Sequence, residues 1–338
     1  PITDAQLVGR GGGFSFGFAG TPLTTGAWLD AEHFLQVKEG KLLKVEARTG
    51  KGEPFADAEK IKTSLSAVKD KELTEALAAR IAQGTSFRTN PDRTAFLFDL
   101  GPDVGLAYFD GTPAVRLTKS AGGKEHVSFS PDGKRVAFVR GANLFAVSVE
   151  EPQKEHQLTT DGGGDVFNGK GDWVYEEEIF LRNGKAYWWS PDGRQLAFLR
   201  FDDKPVKKFN LVDLKEVHGR LESYAYPKPG DPNPLVKIGV VSADGGKPAF
   251  LDLGEYKPED TVISRVGWVA GSQTVFAYVQ NRTQTWLDFV TWEAPDAKPT
   301  KLFRETTEAW VDDPGEPHFL PDGGFLFPSE RTGWKHLY

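Results

Sequence analysis

Glu176, Glu177 and Glu178 are consecutive, framed by Trp173, Val174 and Tyr175 before them and by Ile179 and Phe180 after them. Adjoining carboxylates repel, and apolar neighbours make each harder to ionise, so the run costs stability unless a cation offsets it. A peptide α-amino group is such a cation: with a pKa of about 7.7 to 8.0 it is largely protonated at neutral pH, and its three donors can be shared by two carboxylates. Each charge-assisted hydrogen bond is worth roughly 1.5 to 3 kcal/mol, enough to fix where a peptide's N terminus stops and so to count residues from it. The competing reading is a surface helix capped by Asp172, with an acidic first turn and Glu178 paired to Arg182 at i+4. As a strand the carboxylates fall on both faces, and as an α-helix they fan over about 200°, so periodicity does not choose between the two.

Other chemistries find less support. The chain of 338 residues has no cysteine, which removes disulfides, thiolate nucleophiles and cysteine-based zinc sites. His33, His126, His156, His218, His318 and His336 are scattered without the short spacing of a zinc site, so neither a metal nor another cofactor is expected. Ser15 within Gly13–Gly17 matches G-x-S-x-G, but glycine-rich sequence replaces the strand and helix that a nucleophile elbow requires, so no catalytic residue is assigned. A net charge of −7, spread along the chain, argues against a nucleic-acid partner. No run approaches the roughly 18 apolar residues of a membrane span. None of this fixes the compartment, because a processed leader leaves no trace.

The elements that must hold the glutamates are β-hairpins. Segments from Ser86, Val127, Tyr187 and Pro317 each read strand, Pro-Asp turn, strand, and three of the four turns continue with glycine. From Pro91 to Pro131 is 40 residues, the length of one four-stranded propeller blade. From Pro131 to Pro191 is 60, and the glutamates lie in the surplus. The fold class expected is therefore all-β, a propeller of four-stranded blades over residues 1–338, with a substrate-anchoring insertion at 165–186. Further blades are expected at Ala27–Gly50 and from Val266. A helical insertion at 55–84 is implied by Ile61, Leu65 and Val68 and by Leu73, Leu77 and Ile81, with Asp70 as N-cap and Gly84 as stop. The last hairpin supplies only half a blade and the propeller looks unfinished, so either strands from elsewhere in the chain close the ring or the protein continues past Tyr338. The aromatics of Ala186–Ser190 are expected in blade packing, and Trp310 is the one better placed to face a ligand.

The stretch "DWVYEEEIF" closely resembles the double-glutamate motif of the dipeptidyl peptidase IV subfamily of prolyl-oligopeptidase-like serine peptidases. The likeness runs on through "KAYWWSPDGRQLAFLRFDD", "YPKPGDPNPLVKIGVV" and "EPHFLPDGGFLFPSERTGWKHLY". This resemblance implies a commonly eight-bladed propeller that gates substrate, with Glu177 and Glu178 binding the free N terminus of a peptide and Glu176 structural. It implies removal of Xaa-Pro or Xaa-Ala dipeptides by a serine, aspartate and histidine on a following α/β-hydrolase domain, not present in this chain, so that the fragment alone should be inactive. It further implies a homodimer and a periplasmic or secreted location. The family's arginine for the substrate's P2 carbonyl has no counterpart in "LFDLGPDVGLAYFDG"; Arg182 and Arg200 are the nearest substitutes. A tripeptidyl peptidase of the same subfamily and a non-enzymatic propeller serving as a protein-binding module are the alternatives.

Overall fold

The computed structural model describes residues 25–82, 87–215, 217–293, 295–320 and 322–338. Runs of β-branched and aromatic residues broken by Pro-Asp, Asn and Gly turns fold, as expected, into an all-β chain of propeller-type blades, each an antiparallel meander.

Two compact units form. One takes the described residues up to Phe87 together with Tyr108–Pro113; the other takes Arg88–Ala107 and Ala114–Tyr338. The first holds blade one, with strands Thr25–Trp28, His33–Lys38, Lys41–Glu46 and Gly52–Pro54. It also holds helices α1, Ala58–Leu65, and α2, Lys71–Ala82. Asp57 caps α1 through the Glu59 and Lys60 amides, and Asp70 accepts from the Leu73 amide at 3.0 Å to open α2. Ile61, Leu65 and Ile81 are buried, as their helical spacing predicts. Gly84 lies outside the described residues.

Most of the second unit consists of blades two to five. Blade two runs through Arg88–Thr89, Ala95–Leu100, Asp103–Tyr108 and Val115–Arg116; Tyr108 itself falls in the first unit. Blade three comprises Glu125–Phe129, Arg135–Arg140, Asn143–Ser148 and Glu155–Gln157. Blade four is built on Tyr187–Trp189, Gln195–Asp202, Leu235–Ser242 and Ala249–Phe250, with Val166–Asn168 paired onto the far half of Gln195–Asp202. Blade five comprises Thr261–Trp268, Val275–Asn281, Trp286–Trp292 and Thr300–Thr306. Two short hairpins come after it, His318–Phe319 with Phe325–Leu326 and Pro328–Ser329 with His336–Leu337.

Central strands of these blades are covered on both faces, which is why Val136–Val139 and Leu196–Leu199 are continuous apolar runs rather than alternating ones. Each buried valine, leucine or phenylalanine among them contributes roughly 1.5 to 3 kcal/mol. Between two strands of blade four, a hairpin of Lys208–Asp213 and Arg220–Ala225 forms its own two-stranded sheet, with Leu211, Val212 and Leu221 exposed.

The repeated turn is one structure with one exception. Amides of Arg93, Gly133, Gly193 and Gly323 each donate to the carbonyl three residues back, at 2.9 to 3.1 Å. All four adopt positive φ, of 54°, 71°, 68° and 87° in that order. Glycine does this freely, whereas a side chain there costs about 1 to 2 kcal/mol, so Arg93 is held against its backbone preference.

Candidate functional site

The acidic run lies in a loop closed at its base. Gly171 donates to the Gly184 carbonyl at 2.8 Å and Ala186 to that of Gly169 at 3.0 Å. Asp172 caps the loop's helical start, accepting from the Val174 and Tyr175 amides at 2.9 and 3.1 Å. The glutamates themselves sit in neither a strand nor an α-helix. Tyr175–Ile179 is a single π-helical turn, with the Phe180 amide donating five residues back to Tyr175 at 2.7 Å. Leu181 and Arg182 then take positive φ, 51° and 67°, and the chain reverses. Such turns and left-handed non-glycine residues concentrate at functional sites.

Packing fixes the turn from below. The Tyr175 ring is buried edge-on against Phe201 and Phe180, at centroid distances of 4.7 and 5.6 Å. Its hydroxyl accepts from the Ile263 amide of blade five at 3.0 Å, and burial pushes the phenol's pKa well up, so it stays neutral. A second tie joins the same two blades, where the Trp268 indole donates to the Trp188 carbonyl at 3.0 Å. The turn thus sits over the seam between blades four and five, in a shared apolar cluster.

The three glutamates diverge. Glu176 turns toward Gly184, where an added Cβ would meet its carboxyl carbon at 3.2 Å and the His126 ring at 3.0 Å. Burial lowers the His126 pKa, against the pull of Glu125 and Glu176. Glu177 accepts from Arg182 Nε at 3.2 Å, with 37% of its side chain exposed against 83% for the arginine. Glu178 borders a cavity of about 620 Å³, whose walls include Phe180, Lys185, Trp188, Arg265 and Trp310. Only Glu178 of the expected pair is therefore part of that wall; Glu177 stands one residue before it and takes the pairing with Arg182 that the surface-helix reading gave to Glu178, because the chain reverses at Leu181 and Arg182 after the turn. Arg265 is paired to Asp313 at 2.9 Å, and the buried Ser264 hydroxyl at the wall has no partner among the described residues.

The residues around the glutamates depart from expectation in several places. Arg200 is occupied by Asp161 at 2.7 Å and does not border the cavity, so it is not a spare cation. Trp310, the aromatic better placed to face a ligand, is exposed and on the wall, and Trp188, expected in blade packing, is on the wall too. Lys185 was missed: it borders the cavity with its ammonium 4.6 Å from the centre of the Tyr187 ring, and burial lowers its pKa. A lysine beside "AYWW" has no sequence signature that separates it from a surface lysine. Ser15 lies outside the described residues. Among the described residues, no group of three or more histidine, aspartate and glutamate side chains is arranged to hold a metal ion, and no helix is long and apolar enough to cross a membrane.

Beneath the loop, two carboxylates have unusual environments. Burial pushes Asp172 up to about 6, although its two amide bonds oppose this. Burial, reinforced by the charges of Asp172, Asp165 and Asp202, pushes Asp203 up to about 7, and its Oδ1 has no hydrogen-bond partner among the described residues.

The family model described as the dipeptidyl peptidase IV (DPP IV) N-terminal region matches residues 81–338. The chain belongs to this family. The match takes in blades two to five and the acidic loop, and leaves blade one and α1 outside. Among relatives of the DPP IV N-terminal region, the chain is 32% identical over 239 residues to the probable dipeptidyl peptidase 4 of Aspergillus clavatus, covering 67% of this chain and 31% of that protein. It is 30% identical over 231 residues to the dipeptidyl peptidase 4 of Trichophyton tonsurans, covering 64% and 29%. The chain thus spans about a third of the length of these relatives. Its fold is shared with the crystal structure of Porphyromonas gingivalis dipeptidyl peptidase 4, with a TM-score of 0.75 at 21% identity over 94% of this chain and 45% of that one. A putative dipeptidyl aminopeptidase IV from Bacteroides ovatus gives a TM-score of 0.73 at 22% identity over 98% and 44%.

Proposed function

We propose that this DPP IV N-terminal region is the substrate-selecting part of a serine peptidase that removes dipeptides, of Xaa-Pro or Xaa-Ala type, from peptide N termini. Glu177 and Glu178 hold the substrate's α-ammonium, and the blades restrict access. The observation that carries this reading is the place of Glu178 on the wall of a cavity, next to a carboxylate whose ion-pair partner is a largely exposed arginine. An arriving ammonium displaces that arginine at little cost, since exposed pairs are worth about 0 to 1 kcal/mol. Holding the amine at a set distance from a nucleophile on another domain presents the second peptide bond for attack, and so converts binding energy into orientation. The exposed apolar hairpin of Lys208–Asp213 and Arg220–Ala225 is the surface through which two copies would pair.

The test is Glu178→Gln and Glu177→Gln in the intact protein, assayed on free-amine dipeptide and tripeptide chromogenic substrates. Loss of one charge-assisted bond predicts a fall in kcat/KM of about 10- to 100-fold with native stability retained. Undiminished cleavage by both variants sinks the anchor, and release of tripeptides rather than dipeptides moves the assignment to a tripeptidyl peptidase.

A further inference from the structure

A second cavity, also of about 620 Å³, is lined by residues from the first strand of each of blades two to five and by the Pro-Asp turns of blades two to four. Lys185 and Trp188 border both cavities, but this one has its own chemistry. Arg93, the one non-glycine at the left-handed position of the repeated turn, is on its wall. Among the described residues, Arg93 Nη1 is buried with no acceptor and no carboxylate pairs with it. The Trp189 indole N–H, also on the wall, is likewise buried without an acceptor. Lys185 adds an ammonium that faces the Tyr187 ring rather than a carboxylate. Arg88, by contrast, is already paired, to Asp99 at 2.8 Å. Among the described residues, Glu316 is the only carboxylate on this wall.

Donors without acceptors and cations without anions call for the same complement, an oxygen-rich anion. Trp188, Trp189 and Trp268 offer ring surface to whatever apolar body carries it. The volume lies within the range of sites for small ligands and short peptides. A strained arginine where the sister turns have glycine is hard to account for by the turn itself, because glycine serves the turn better.

We infer that this cavity is a binding site for a peptide carboxylate, with Arg93 and Lys185 as its cationic contacts, the Trp189 N–H as a further donor and the neighbouring tryptophans holding the adjoining side chain. The site does not depend on the amine anchor. A carboxylate can come from a peptide's C terminus or from an acidic side chain, and the same contacts serve both.

Isothermal titration of the intact protein with N-acetyl-Ala-Phe-Ala tests this, since the blocked amine removes any contribution from Glu177 and Glu178. The free acid should bind at least tenfold more tightly than the C-terminal amide. N-acetyl-Ala-Phe-Glu amide binding as well as the acid assigns the site to side-chain carboxylates; binding as weakly as the plain amide assigns it to C termini. Arg93→Gly should erase most of the acid-over-amide preference while leaving the melting temperature unchanged or higher, and Lys185→Gln should reduce the preference with the fold intact. Equal affinity for acid and amide, no binding of the acid at millimolar concentration, or an acid preference that survives both substitutions overturns the inference. A fall in melting temperature in Arg93→Gly with the preference retained shows a structural arginine and overturns it too.

Discussion

Arg182 Nε lies 3.2 Å from Glu177 Oε2 across five residues of chain, and the arginine is the more exposed partner by far. If Glu177 holds the substrate's α-ammonium as proposed, this cation covers the carboxylate when no substrate is present and competes with the incoming amine. Arg182→Gln should therefore lower KM for free-amine dipeptide substrates by about two- to fivefold, the worth of an exposed pair, with kcat little changed. Steady-state kinetics at low and high salt provide the check, because the advantage of the variant should shrink as salt screens the pair in the parent.

Asp203 gives the fold a pH dependence of definite sign. Its pKa is raised from 3.8 to about 7 by burial and by Asp172, Asp165 and Asp202, with Lys208 opposing. The folded state therefore holds a proton that the unfolded state releases, and stability is highest below about pH 4 for this group and falls as pH rises toward 7. Asp172, raised to about 6, adds in the same sense over a narrower window. Asp203→Asn should flatten this part of the profile and raise stability at pH 8 by about 1 to 3 kcal/mol. Urea denaturation at pH 5 and pH 8 measures it; a variant that loses stability equally at both would show that the carboxylate is needed for its shape alone.

Within blade five, Asp288 is fully buried and accepts from Arg304 Nε and Nη2 at 2.6 and 2.7 Å and from the Tyr256 hydroxyl at 2.8 Å. Burial would raise its pKa, but these bonds outweigh it and hold the carboxyl low. Arg304→Ala leaves the buried charge only Lys301 at 3.6 Å and the Tyr256 hydroxyl, and should cost toward the lower end of about 3 to 5 kcal/mol in denaturant unfolding. Arg304→Lys should recover only part of this, because an ammonium cannot reproduce the two-pronged contact.

Much of the architecture was legible because turn chemistry punctuates it. Pro91, Pro131 and Pro191 announced hairpins that formed, and Asp70 and Asp172 announced caps that formed. The acidic turn was not legible, since its π period matches neither the strand period nor the α-helical one, and the reversal at Leu181 and Arg182 that follows it leaves Arg182 on Glu177 rather than Glu178. Arg93 and Asp203 also escaped notice. Each matters through what is missing around it in space, an acceptor in one case and a hydrogen-bond donor in the other, and a sequence records neighbours along the chain only.

The two bonds that cross between blades four and five, from Ile263 to Tyr175 and from Trp268 to Trp188, make the acidic turn answer to the spacing of two sheets rather than to its own loop. Any sliding of one blade against the other shifts the carboxylates with it. On the proposed reading, repacking that joint would retune the length of peptide measured from this point while leaving every glutamate in place.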